Sequence, residues 1–389
     1  MRLLYVIDSL GRAGAERSLA AMSPYYLRAG VDLDIAYLTD AQSIRAPFEE
    51  AGAKLFSLQG AGGRLGHLRR LRQVIRAREP DLIHTTLFDS DLVGRVAGVA
   101  TRVPVVTSLV NVAYGPEQLA NPDLHRWRVR AVQLTDALSA RAVRRFHAIS
   151  AHVAEIMGAR LRIRRDRIDV VPRGRDPRQL GSRDPERRAR ARRLLGIDTE
   201  ERLVVAAARH EYQKGLDVLL QAFAGIAGAT PGARLVIAGR EGSQTAQLMA
   251  AIDRLGLEHA TRILGPRDDV SDILCAADVF AFPSRWEGLG SVLLEAMALE
   301  APIVASDLGA VREVVGGEAV LVPPDDPARL AGSISEVLVD PRAADVRAKA
   351  AKARFLRHFT VERVVEDMLA FYDRALGGPI ERSPHRLGP

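Results

Sequence analysis

Short apolar runs alternate with stretches of helical period along nearly the whole chain, and the alternation starts twice. "RLLYVID", "DLDIAYL", "DLIHTT", "VPVVTS" and "RIDVVP" read as buried strands, with helix-like segments at 15–29, 67–78 and 89–99 between them. After residue 200 the pattern restarts with "RLVVAAA", "ARLVIAG", "TRILG", "DVFAFP", "PIVAS" and "AVLVP". Strands that alternate with helices imply parallel sheets covered on both faces. Two such series predict an α/β protein with two doubly wound domains. A length of 389 residues agrees, since it exceeds what one core comfortably supports.

Between the two series lies "RGRDPRQLGSRDPERRARARRLLG", polar, charged and without a strand pattern until its end, which makes residues 173–196 the candidate hinge. The segment "FTVERVVEDMLAFYDRAL" carries apolar residues at helical spacing, and "GGPIERSPHRLGP" after it is expected to fray. The expected domains are 1–180, joined by a helix at about 360–376, and 181–359, with 377–389 as a flexible tail.

The composition, 47% hydrophobic and 26% charged, excludes wholesale disorder. No run reaches the 18 or so apolar residues of a membrane span, and "MRLLYVIDSLGRAG" reads straight into a strand without a separate leader. A single cysteine, Cys275, rules out an internal disulfide framework or a multi-cysteine zinc site and is expected in a helix core. The expected location is the cytoplasm. Residues 1–180 hold 28 basic against 18 acidic side chains, and the remainder 27 against 30. A basic half suits a phosphate-bearing ligand or the inner face of an anionic membrane. Only four of the 55 cations are lysine, so most of the arginines are expected to be solvated. Nucleic acid is not an expected partner, because no aromatic-studded basic face or known motif accompanies the charge.

In open parallel sheets, ligands bind beyond the carboxyl ends of strands. After "RLVVAAA" come Arg209, Lys214 and Gly215, just ahead of a helix. Arginine binds phosphate oxygens as a fork and lysine as a compact charge, so the pair suits a diphosphate. After "DVFAFP" comes "SRWEGLGSVLLEAMALE", in which seven of the eight residues from Val292 to Leu299 are apolar and the eighth is Glu295. A carboxylate in a buried helix is costly without a partner. Glu287 precedes the helix start expected near Gly290, where free N–H groups form an anion site and Gly288 and Gly290 allow close backbone approach. The two carboxylates are placed to accept hydroxyls at different ends of an extended, phosphate-bearing ligand.

These segments resemble the retaining glycosyltransferases of family 4, also called group 1. "RWEGLGSVLLEAMALEAPIVAS" is similar to the signature with its E-x7-E spacing, and "AAARHEYQKGLDVLLQAF" to the Arg-then-Lys phosphate segment. "RLVIAGREG", "ILGPRDDVSDILCAADVFAFPS" and "VVPRGRDP" fall in the family's order. The resemblance implies the GT-B fold, two Rossmann-like domains facing across a cleft, with the tail helix crossing back to the first domain. It implies Arg209 and Lys214 on the donor diphosphate, Glu295 on the ribose and Glu287 on the transferred sugar. Arg209, Lys214 and Glu287 are thus the catalytic candidates. Ser284 and the backbone of Gly288, Leu289, Gly290 and Ser291 would lie against the nucleotide sugar. No metal or other cofactor is expected.

In the first domain, "SLGRAGAERSLAAM" resembles the family's glycine loop, with Gly14 on the donor side and Glu16 on the acceptor side, but Ala13 stands where a glycine is usual. After "VPVVTS" Asn111 replaces a histidine that many members carry near the sugar. An amide hydrogen-bonds a hydroxyl but takes up no proton, so no general base is named. His84 reads as a strand residue. Asp32/Asp34 and Asp89/Asp91 read as strand alternation and a helix start rather than metal ligands. "RWRVRAVQLTDALSARAVRRFHA", with Trp127, reads as a helix packed within the first domain, with a membrane-surface role as the alternative. The expected activity is retaining, metal-independent sugar transfer from a nucleotide diphosphate to an unidentified acceptor. The alternatives are a sugar-nucleotide epimerase of the same fold, or a donor-binding protein without transfer.

Overall fold

The computed structural model describes residues 1–11, 14–40, 44–60, 62–119 and 125–378. Ala13 and residues 379–389 of the expected tail lie outside the described residues. The chain forms two compact units, Met1–Asp176 with Thr360–Pro389, and Pro177–Phe359. Among the described residues no helix is long and apolar enough to cross a membrane.

Unit 1 is built on β1 (Arg2–Ser9), β2 (Asp32–Thr39), β3 (Lys54–Ser57), β4 (Leu82–Thr86), β5 (Val105–Leu109), β6 (Arg145–Ala148) and β7 (Ile168–Val170). They lie in the order β3-β2-β1-β4-β5-β6-β7, every pair parallel. Side chains on a strand alternate between faces. Leu3, Tyr5 and Ile7 of β1 therefore pack on one side with Val364, Met368 and Tyr372, while Leu4 and Val6 pack on the other with Leu71, Ile75 and Val93. The first set belongs to the helix Val361–Leu376, whose buried residues recur at the i, i+3, i+4 spacing of one helical face. Its entry is fixed by a backbone bridge of Arg175 to Thr360, with Val361 N–H donating to the Arg175 carbonyl at 3.0 Å.

Unit 2 is built on β8 (Arg202–Ala207), β9 (Ala233–Ala238), β10 (Thr261–Ile263), β11 (Val279–Phe282), β12 (Ile303–Ser306) and β13 (Val320–Val322), in the order β10-β9-β8-β11-β12-β13. All pairs are again parallel. Leu203 to Val205 and Val279 to Phe280 are fully enclosed, as strands covered on both faces must be.

The structure goes beyond the sequence at three points. The strands β3 and β6 carry too little apolar pattern to be read from sequence: β3 is an edge strand with exposed ends, and β6 consists of Arg145, Phe146, His147 and Ala148. The boundary between the two units, Asp176 to Pro177, falls within residues 173–196, and these residues are not all loop. They contain the helix Pro185–Leu194, capped by Asp184, whose carboxylate accepts from Arg187 N–H at 2.8 Å. Nor are all the arginines of this segment solvated, although Arg178, Arg190 and Arg193 are exposed. Arg188 and Arg183 donate to the Ala277 carbonyl at 2.7 and 2.8 Å, and Arg192 to the Asp198 and Glu201 carbonyls at 2.6 and 2.7 Å. The last carbonyls of a helix lack internal partners, and Arg183 and Arg188 cover the end of the helix Val270–Ala276 by bonding Cys275 and Ala277.

Candidate active site

In unit 2 the strand order reverses beside β8: β9 lies on one side and β11 on the other. At such a switch point the two flanking connections diverge and leave a crevice at the carboxyl ends of the strands. The segments that leave β8 and β11 there are 208–215 and 283–290, which carry most of the candidate residues.

Lys214 ends a short turn of 3₁₀-helix, Tyr212–Lys214, and its ammonium donates to Glu287 Oε1 at 2.5 Å. Ser284 Oγ donates to the same oxygen at 2.8 Å. Glu287 is 7% exposed and Ser284 1%, so the ion pair is largely removed from water. Gly215 makes the approach of the two loops workable. It has φ +60°, and a Cβ there would lie 2.1 Å from the Pro283 carbonyl oxygen. Gly290 also adopts a left-handed conformation and caps the helix Ser291–Ala298. The first N–H groups of that helix have no internal acceptors and carry its positive dipole end.

Arg285, which sequence reasoning passed over, fastens the two loops together. Its guanidinium donates to the Tyr212 carbonyl at 2.7 Å, to both Asp217 carboxylate oxygens at 2.9 and 2.7 Å, and to Asp325 at 2.7 Å. It also lies 4.1 Å from the Tyr212 ring centroid. Arg285 N–H donates to the Gln213 carbonyl at 2.8 Å, and Gln213 Nε2 to the Trp286 carbonyl at 2.7 Å. An arginine next to the expected sugar glutamate was the available signal.

The structure brings together Lys214, Ser284 and Glu287. Gly288 and Leu289 are buried in the same loop, and Gly290 and Ser291 are half-buried at the helix start. Arg209 follows β8 with an exposed side chain. Beside it His210 is fully buried; its Nδ1 lies 3.1 Å from Thr245 Oγ1, and its Nε2 has no partner among the described residues. Glu295 corrects an expectation. It is half-buried rather than enclosed, because Ser291, Val292 and Glu295 share the open side of a helix whose Leu293, Leu294, Ala296 and Met297 face the core. The deeply buried carboxylate of the signature is Glu287.

Gly14, Glu16 and Asn111 belong to unit 1. Gly14 starts the helix Gly14–Arg28, and Glu16 in its first turn is 4% exposed. Ser9 Oγ donates to Glu16 Oε1 at 3.2 Å, while Oε2 has no partner among the described residues. Burial pushes the Glu16 carboxyl above the usual range. Asn111 lies exposed beyond β5, and its Oδ1 accepts from Val112 N–H at 2.9 Å. His84 and His147, on β4 and β6, sandwich Ser108: His84 Nε2 and His147 Nδ1 lie 2.7 and 2.8 Å from its Oγ. A cavity of about 20 Å³ in unit 1 is lined by Tyr5, Thr86, Ser108, His147 and Arg173 among others.

Two family matches tile the chain: Glycosyltransferase Family 4 over residues 12–179 and Glycosyl transferases group 1 over residues 187–354. The D-inositol 3-phosphate glycosyltransferase of Mycolicibacterium smegmatis is 33% identical over 320 residues, covering 78% of this chain and 69% of that protein. The enzyme of the same name from Segniliparus rotundus is 35% identical over 221 residues, and there the match spans only 48% of the relative's length. The crystal structure of Anabaena HepE in complex with UDP and glucose has a TM-score of 0.85 at 23% identity, covering 96% of this chain and 100% of that one. Its likeness shows the fold. With both halves matched and a relative covered over two thirds of its length, the chain belongs to the group 1 (family 4) glycosyltransferases and has their GT-B fold.

Proposed function

We propose that this chain is a retaining glycosyltransferase that moves a sugar from a nucleotide-diphosphate sugar to an acceptor without a metal ion. The observation that carries the reading is the Lys214–Glu287–Ser284 cluster at the β8/β11 switch point, beside the helix start at Ser291. A departing diphosphate develops negative charge, and preorganised cations and helix N–H groups stabilise it most effectively where water is excluded. Lys214 and the exposed Arg209 supply the cations, and Glu287 supplies a buried acceptor for sugar hydroxyls. The solved complexes of Anabaena HepE with UDP and with UDP-glucose support a donor of this class. Independence from metal is supported by the aspartates: Asp34 is held by Arg78 at 2.6 Å, Asp89 by Arg64 at 2.5 Å and Asp91 by Arg95 at 3.4 Å. We place the reaction on the cytoplasmic side, with unit 1 meeting an anionic membrane surface through its excess of arginine.

Calorimetric titration with UDP, GDP and ADP tests the donor site. At least one should bind, and Lys214→Ala and Arg209→Ala should each weaken it by about 1.5–3 kcal/mol, the scale of charge-assisted hydrogen bonds. Lys54→Ala, on the exposed edge strand β3, should not. Equal losses at Lys54 and Lys214, or no binding by any of the three, would overturn the reading.

A further inference from the structure

Tyr114 of unit 1 holds a backbone conformation that its residue type disfavours. Its φ is +67°, in the left-handed region, where a bulky side chain is an outlier. Strain of this kind persists only where the surroundings impose it, and it clusters at functional sites. Glycine would adopt the same conformation freely, so the tyrosine side chain has to contribute something that offsets the strain.

That contribution is the hydroxyl. It donates to Asp136 Oδ2 at 2.8 Å, while Asp136 Oδ1 accepts from Arg95 Nη1 at 2.7 Å. Asp136 is 6% exposed and Arg95 1%, so the hydroxyl bonds to an ion pair enclosed within the unit. Arg95 is fixed in turn: Nη1 also donates to Ser139 Oγ at 2.8 Å, Nε donates to Thr107 Oγ1 at 3.3 Å, and Nη2 lies 3.4 Å from Asp91 Oδ2. Thr107 belongs to β5, Asp91 and Arg95 to the helix Phe88–Thr101, and Asp136 and Ser139 to the helix Arg126–Ser139. Tyr114 is thus fastened to a point on which three elements converge, by a hydrogen bond to a charge in a dry environment, the stronger kind.

This anchor lies three residues from Asn111. β5 ends at Leu109, and the loop after it is pinned again at Ala113 and Tyr114. Arg160 Nη1 donates to the Ala113 carbonyl at 2.6 Å, Ala113 N–H to the Met157 sulfur at 3.4 Å, and Tyr114 N–H to Gln118 Oε1 at 2.6 Å. Those three pins hold backbone atoms of the loop, and the hydroxyl of Tyr114 adds a side chain to them. Only Val110, Asn111 and Val112 separate the sheet from this fixed point. So short a span has little freedom of its own, and the place of the exposed Asn111 follows from where Tyr114 is held.

We propose that Tyr114 is a positioning residue for sugar transfer: its hydroxyl, latched onto Asp136, sets the place from which Asn111 serves the reaction. Tyr114 acts through Asn111 and not as a catalytic residue. The proposal rests on the transferase reading and on Asn111 as its acceptor-side residue.

A double-mutant cycle on the full chain tests it. The readout is release of nucleoside diphosphate from UDP-glucose, GDP-mannose or ADP-glucose, with water as the acceptor. Tyr114→Phe keeps the ring and removes only the hydroxyl. Tyr114→Phe and Asn111→Ala should each lower kcat by about tenfold, the loss that one transition-state hydrogen bond implies. The double variant should be no slower than Asn111→Ala alone, because the two residues act as one. Affinity for UDP, GDP and ADP should stay at the wild-type value in all three variants. A further loss on adding Tyr114→Phe to Asn111→Ala, with a lowered melting temperature, would make Tyr114 a structural residue and overturn the proposal. So would wild-type turnover in Tyr114→Phe, or a fall in its nucleoside diphosphate affinity. Either result leaves the transferase reading standing. Wild type that neither binds a nucleoside diphosphate nor releases one from any of the three sugars would sink that reading, and this proposal with it.

Discussion

One carboxylate oxygen of Glu287 accepts hydrogen bonds from both Lys214 and Ser284, so these three side chains are already joined to one another. On the proposed reading, a diphosphate at Lys214 would compete with Glu287 for the ammonium, and Glu287 would be freed toward sugar hydroxyls as the phosphate took the ammonium over. That exchange works only if the two loops stay in register, and Arg285 holds them. Arg285→Ala should cut kcat/KM by at least tenfold, because it removes several charged hydrogen bonds, each contributing about 1.5–3 kcal/mol. Arg285→Lys should recover only part of the loss, since an ammonium cannot fork onto both oxygens of Asp217. Steady-state kinetics beside thermal melts check this: lowered stability with unchanged kcat and KM would make Arg285 a structural residue only. The site's residue types were legible because Arg209, Lys214 and Glu287 stand at strand exits. The fine geometry was not. A run of apolar residues around Glu295 looks buried on paper, yet one side of an eight-residue helix stays half-open, and the enclosed carboxylate lies in the loop before it.

The helix Val361–Leu376 is tied to the unit 1 sheet by a chain of hydrogen bonds with a single direction. His147 Nε2 lies 2.7 Å from the Val171 carbonyl and must donate to it, which leaves Nδ1 to accept from Ser108. Ser108 then accepts from His84 Nε2, and His84 Nδ1 accepts from the Tyr372 hydroxyl at 2.7 Å. Both imidazoles must be neutral. Burial lowers the pKa of His147 to about 4 and that of His84 well below its ordinary value. Unfolding restores values near 6.5, so the unfolded chain binds more protons below that pH and stability falls as pH drops from about 6.5 to about 4. For His147 alone the shift corresponds to about 3 kcal/mol. Asp91, pushed up to about 7 by burial, contributes with the opposite sign throughout this range, so the test is a difference. Melting of wild type should depend more steeply on pH between 6.5 and 4.5 than melting of His147→Asn, and parallel profiles would remove the relay from the account. The same network shows why some elements escaped the sequence. His147 and the arginines around it break the apolar pattern of β6, although every polar atom of its ring finds a partner. The arginines of Pro185–Leu194 read as solvated charge because their acceptors, the carbonyls of residues 198, 201 and 277, are distant in sequence or carry no side-chain signal. The remaining strands were legible because parallel sheets covered on both faces need unbroken apolar runs.

At the scale of the whole chain, the cations and the buried carboxylate that would manage a departing diphosphate all belong to unit 2, whereas the acceptor candidates Glu16 and Asn111 belong to unit 1. On the proposed reading, leaving-group departure would be provided for within one unit by Lys214, Arg209 and the helix start at Ser291. Fixed charge of this kind would perform the task that a divalent cation performs elsewhere. Asn111, whose side-chain oxygen accepts from Val112 N–H, is an amide and takes up no proton. On the same reading, the acceptor hydroxyl would lose its proton to the departing phosphate itself, which would confine attack to the face from which that phosphate leaves and keep the anomeric configuration. The expected outcome is an α-linked product from an α-linked donor, formed undiminished in excess EDTA. Proton NMR of the first product reads the anomeric coupling directly. A β coupling would replace same-face attack with inversion and require a base that Asn111 cannot supply. Activity abolished by EDTA and restored by manganese would mean that the charge at Lys214 and Arg209 is insufficient, and that the aspartates now held by arginines must turn to a metal.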